Sequence, residues 1–188
     1  MMIAQVNRIS IKELFEHRVT RFSLRFLGYL ALFWMVYQAY LAWTHAHGEL
    51  DWVTYKVSEL SHALAIKLGV ANCEFSCFID GCYVGREGKM VNVLEGCNGL
   101  KLAIVYSAYL LAVNGFNNKL VPQLILGMIT IQLVNVLRIG VLVALRDMGG
   151  DTYFFFIKHV FGLSIYLSII VLWLMNPIIV KLMNRWTS

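Results

Sequence analysis

Residues 26–43 read FLGYLALFWMVYQAYLAW, a run with no acidic or basic side chain. As a helix it extends about 27 Å, close to the hydrocarbon thickness of a bilayer, and its Trp and Tyr residues suit the interfaces at either end. Arg8, Lys12, Arg18, Arg21 and Arg25 precede it. Such a basic flank stays on the cytoplasmic side of a membrane helix. A signal peptide fits less well: the leading segment and the apolar run are both too long, and no small-x-small cleavage site follows. The run predicts a retained membrane helix after a short amphipathic segment over 1–25.

The rest of the chain has the same character. Of its 188 residues 59% are hydrophobic and only 14% are charged, and mean hydropathy is +0.66. Soluble domains of this length carry more charge. The length suits one domain over 1–188, with no internal repeat. The net charge of +5 gathers beside the first apolar run without the interleaved aromatics that hold a nucleic acid strand. It therefore points to membrane lipids and away from nucleic acid.

Residues 45–96 hold seven of the eleven acidic residues, Glu49, Asp51, Glu59, Glu74, Asp80, Glu87 and Glu95. A basic start followed by an acidic loop places 45–96 outside the cytoplasm. Within it Trp52, Val53, Val57, Leu60, Leu64 and Leu68 recur at helical spacing, which predicts an amphipathic helix lying on the outer membrane surface. The β-prone stretches 82–84 and 90–94 flank the turn-prone GREGK and predict a short hairpin. Further spans are expected at about 98–113, 121–145, with Pro122 in its first turn, and 159–175. The polar NGFNNK turn (114–119) would lie inside and the loop RDMGGDTYFFFIK (146–158) outside, with Lys181 and Arg185 back in the cytoplasm. The expected fold is thus an all-α membrane protein with about four transmembrane helices, both termini cytoplasmic, an outer amphipathic helix and a β-hairpin before the second span.

On this map three reactive side chains share one depth. Cys97 stands at the outer end of the second span and His159 at the outer end of the fourth. Arg138 lies about 12 Å below the exit of the third at Arg146. An arginine inside a span costs several kcal/mol and is tolerated where it faces a bundle interior, a wet cavity or an anion. Asn135, one turn earlier, shares its face and is expected to orient it. Gly96 and Gly99 around Cys97 permit close approach. The start of a helix there favours anionic sulfur, and Lys101 adds a positive charge. A buried, inert cysteine is the equal alternative. His159 suits acid–base work, or simply anchors a helix end. Together the three supply a nucleophile, a proton shuttle and a cation for an oxyanion.

The stretches VLEGCNGLK (93–101), NVLRI (135–139) and HVFG (159–162) resemble the exosortase/archaeosortase family of membrane cysteine transpeptidases. That family has Cys, a small polar residue, Gly, an aliphatic and a basic residue, then Asn-x-x-Arg, then His with Gly three on. Asn98 stands where Ser is common and Lys101 where Arg is common. Over about 50–175 the order matches, and the short chain looks like the compact variants of Bacteroidetes-type bacteria. The resemblance implies an enzyme of the prokaryotic inner membrane with its active site at the outer face, needing no metal or cofactor. Its substrates would be exported proteins whose C-terminal sorting signal ends in a helix and a basic tail. Cys97 would be the nucleophile, His159 the acid/base and Arg138 the oxyanion partner, with Asn98, Gly99, Lys101 and Asn135 in support.

Two other functions remain open on the residues alone. One is a non-catalytic membrane subunit of an envelope export or assembly system. The other is a small transporter with Arg138 at an anion site, although paired helix interruptions are lacking. Cys73, Cys77 and Cys82 predict one disulfide and one free thiol in an oxidising compartment, and Cys73-x3-Cys77 is a poor zinc spacing. His45 and His47 read as interfacial anchors, His62 as a solvated side chain, and Glu95 either as solvated or as positioning the hairpin or a substrate backbone.

Overall fold

The computed structural model describes residues 18–117, 120–149, 162–163 and 166–175. It begins with α1 (Arg18–Ala46), longer at both ends than the expected 26–43. No proline interrupts the basic segment from Arg18, so the helix continues through it. Then follow α2 (Trp52–Lys67), the strands β1 (Glu74–Phe78), β2 (Gly81–Gly85) and β3 (Val91–Val93), and a 3-10 turn (Glu95–Cys97). The helices α3 (Leu100–Asn114) and α4 (Leu120–Met148) come next, and α5 covers Tyr166–Met175. The chain is mostly helical, as its apolar runs imply.

Among the described residues two helices, α1 and α4, are long and apolar enough to cross a membrane. Each has 29 residues, about 43 Å of helix. The α3 helix has 15, about 22 Å, short of a full hydrocarbon layer. It begins at Leu100 rather than at Asn98 because Gly99 takes φ +80°, a left-handed conformation that stops the helix from extending backwards. The fourth expected span lies partly outside the described residues.

The expected hairpin is present as β2 and β3, and a third strand joins it. The sheet has the order β1-β2-β3, all antiparallel. Its register pairs Phe75 with Val84 and Cys77 with Cys82, then Cys82 with Val93 and Val84 with Val91. Strand side chains alternate between faces. Cys82, Val84, Val91 and Val93 therefore share the buried face. Cys77 and Cys82 form the disulfide, leaving Cys73 and Cys97 as the free thiols among the described residues.

The expected amphipathic helix is present as α2. Its buried residues are Thr54, Val57, Ser58, Ser61 and Ala65, while Trp52, Leu60 and Leu68 are exposed. Small side chains let α2 lie close along α4, and their hydroxyls are satisfied locally. Ser58 donates to the Thr54 carbonyl at 2.7 Å and Ser61 to the Val57 carbonyl at 2.7 Å. At the closest point a Cβ on Gly140 of α4 would lie 2.6 Å from Leu64 Cδ2. The helix is therefore integrated into a packed unit with β1, β2 and α4 rather than lying separately on a surface.

Two apolar clusters result. Val57, Ala65, Val84, Val93, Ile139 and Val143 form one beneath the sheet, with Cys97 packed at its edge. Tyr106, Leu110, Ile131, Ile169 and Leu172 form the other, between α3, α4 and α5.

Candidate functional site

Cys97 ends the 3-10 turn, two residues before the Gly99 cap of α3, so it precedes the helix start by two residues more than expected. Its backbone N–H donates to the Leu94 carbonyl at 2.7 Å, closing the turn. The next residue, Asn98, is fully buried. Its Nδ2 donates to Asp51 Oδ2 at 2.6 Å and Thr54 Oγ1 at 3.1 Å. Its Oδ1 accepts from the Leu100 N–H at 2.9 Å, satisfying one of the free donors at the start of α3.

From the other side Asn135, also fully buried, donates from Nδ2 to the Cys97 carbonyl at 2.7 Å. Asn135 was expected to orient Arg138. Instead it grips the backbone of the cysteine, because helical spacing aligns 135 with 138 but the turn lies nearer. Gly99 packs against Gln132 and Asn135, and its φ of +80° is a conformation that a side chain would strain.

A cavity of about 250 Å³ opens beside the turn. Gly96, Cys97, Gly99, Lys101, Arg138 and Tyr166 are among the residues lining it. The structure thus brings together Cys97, Gly99, Lys101 and Arg138, with Asn98 and Asn135 holding the turn behind them. Lys101 reaches the cavity although Cys97 lies off the helix. Its Nζ is 5.9 Å from the Trp34 ring centroid, a cation–π contact from α1. Arg138 is partly buried and has no hydrogen-bond or ion-pair partner among the described residues; it and Lys101 line the same cavity as Cys97. His159 lies outside the described residues. Gly162, three positions on in the same motif, lines the cavity.

Asp51 carries a role that composition and spacing did not reveal. It caps α2, with Oδ1 accepting from the Val53 N–H at 3.3 Å and Oδ2 from the Thr54 N–H at 2.8 Å. It also accepts from Thr54 Oγ1 at 2.6 Å and from the Tyr40 hydroxyl at 2.7 Å. Burial pushes its carboxyl up, but the hydrogen bonds from Thr54, Tyr40 and Asn98 more than offset this and hold it below the usual carboxylate value. The available signal was the Asp-x-x-Thr start of an apolar-periodic helix, a capping pattern.

Other expectations resolve individually. Glu95 is tied down: its Oε1 meets His45 Nε2 at 2.7 Å, joining the end of α1 to the Cys97 turn. His47 turns to the Trp43 carbonyl at 2.7 Å, so the two histidines have separate partners. His62 is not solvated; Nε2 meets the Cys73 carbonyl at 3.0 Å and the ring stacks on Phe75. Burial pushes the Cys73 thiol up, and Cys77 is committed to its disulfide. No family model, curated protein or solved structure matches this chain.

Proposed function

We propose that the chain is a membrane-embedded cysteine protease/transpeptidase of the exosortase type, acting on C-terminal sorting signals of exported proteins. One observation carries the reading: Cys97, Lys101 and Arg138 line a single cavity whose thiol-bearing turn is held from two helices. In this reading the chain makes four passes through a prokaryotic inner membrane with both termini cytoplasmic. The cap of α2 and the strands then lies outside, where a Cys77–Cys82 disulfide persists.

The chemistry follows from the residues. The Cys97 sulfur attacks the carbonyl carbon of the scissile peptide bond. The developing oxyanion lies toward the Arg138 guanidinium, whose hydrogen bonds to it strengthen as negative charge builds. The C–N bond breaks, His159 supplies the proton to the leaving amine, and a thioester remains on Cys97. Water or a second amine then attacks the thioester and restores the thiol. Lys101 adds positive potential on the same side.

The test is co-expression with membrane proteins ending in a sorting motif, a helix and a basic tail. The unmutated chain should remove the tail, Cys97→Ala should abolish removal, and hydroxylamine should release a thioester-linked fragment from the unmutated chain. Tail removal that persists in Cys97→Ala would overturn the reading and leave a non-catalytic subunit.

A further inference from the structure

Asp51, Thr54 and Asn98 are all fully buried, and a buried carboxylate without a cation is costly unless donors surround it. Here five hydrogen bonds converge on it, from Tyr40, the Val53 and Thr54 backbones, the Thr54 hydroxyl and Asn98. Capping α2 needs only two of them. The Asn98 contact instead spans 47 positions of the chain and ends on the residue next to Cys97. Asn98 passes the constraint on in both directions. Its Oδ1 fixes the first turn of α3, and its backbone is continuous with the peptide whose carbonyl Asn135 grips. The backbone on the C-terminal side of Cys97 is therefore held from α2 and from α4 at once.

We propose that Asp51 is a positioning residue for Cys97, acting through Asn98 to set the direction in which the thiol enters the cavity it shares with Arg138. The inference rests on Cys97 being the reacting group. Its chemistry separates it from capping. Asn and Ser cap helices about as well as Asp, so a residue that only caps tolerates Asp51→Asn and Asp51→Ser. A clamp does not tolerate them. The Asn amide turns a donor toward donors, and Ser is too short to reach Asn98.

The experiment uses the full chain in detergent in a Cys73→Ser background, where Cys97 is the one free thiol among the described residues. Asp51→Asn, Asp51→Ser and Asn98→Ala are compared by the rate of N-ethylmaleimide addition to Cys97 and by kcat and KM for tail removal. The expected result is an alkylation rate altered about threefold or more. With it kcat should fall about 10- to 100-fold while KM stays within about twofold, as for a displaced reacting group. Wild-type alkylation and turnover in Asp51→Asn and Asp51→Ser would overturn the proposal and leave Asp51 a cap. So would loss of folding in all three variants, which would make the network a folding element. Alkylation needs no substrate. A shifted alkylation rate alongside an unmutated chain that removes no tail overturns the protease reading and leaves the positioning role standing.

Discussion

The cap and the two long helices bury their side chains by opposite rules. Inside the cap, α2 and the strands enclose small and polar groups, Thr54, Ser58, Ser61 and a carboxylate, each bonded to a named partner. Along α1 and the far face of α4 many large apolar side chains point outward, while Ile131, Ile139 and Val143 of α4 turn into the core. Met35, Val36, Leu133 and Leu137 are each more than half exposed. Water does not tolerate stripes of that kind, whereas hydrocarbon does. The difference shows where each region derives its order. In the cap, specific hydrogen bonds fix position; in the long helices, the surrounding medium and small interhelical residues do. The Cys97 turn lies on the seam and takes one grip from each, Asn98 from the cap and Asn135 from α4.

The largest effect on this comparison should come from the charge on the long-helix side. Arg138→Ala is expected to lower tail removal about 100- to 1,000-fold, as loss of an oxyanion donor does, while Cys97 alkylation persists. Normal turnover in that variant would detach Arg138 from the chemistry. Next comes packing of the long helix α4 against the shorter α3, which carries Tyr106. A Cβ at Gly127 of α4 would sit 1.9 Å from Tyr106 Cε1. Gly127→Ala must therefore displace the ring and should cost about 1–3 kcal/mol, read as a lower thermal midpoint in detergent; an unchanged midpoint would show that the ring moves freely.

In the cap, Cys77→Ser opens a loop of sequence separation 5 and should cost about 2 kcal/mol on chain-entropy grounds. Denaturant titration with and without reductant measures it. A loss confined to the cap would strengthen the division between regions, whereas a loss of α3 and α4 as well would erase it. Asp51 gives the cap a signature in pH. Its folded carboxyl lies below the usual 3.8. The stability it contributes is therefore complete above that value and is lost as pH falls through the lower, folded one. Thermal midpoints should stay level in this respect down to about pH 4 and then drop, and Asp51→Asn should lack that component of the drop. The smallest effect should be at the surface. Arg86 Nε stands 3.3 Å from Asp147 Oδ1, with the arginine well exposed. Arg86→Ala should shift stability by less than about 1 kcal/mol, and a larger shift would show the pair to anchor the strands onto α4.

Legibility in the sequence follows the same division. The apolar runs of α1 and α4 were plain because composition over a window decides whether a helix suits hydrocarbon. The β2–β3 hairpin was readable from its turn. The strand β1 was missed because EFSCF is short and its alternation is weak. The helix α2 was readable from its spacing, but its buried face of Thr54, Ser58 and Ser61 was not, because apolar periodicity does not count serine and threonine as core residues. Cys97, Lys101 and Arg138 could be named as candidates from residue type and depth. Asp51 was passed over as one of seven acidic residues in a loop.

The sequence by itself determined where two helices long enough to cross a membrane form and which reactive side chains lie in or beside apolar helices, because those properties depend on neighbouring residues. Only the tertiary structure decided that Cys97 stands off its helix, that α2 and α4 hold it from two sides, and that Arg138 faces the same cavity. Those relations join residues far apart in the chain. They depend on how closely α2, α3 and α4 approach, which is set by Gly127 and Gly140 together with a buried hydrogen-bond network that no local pattern records.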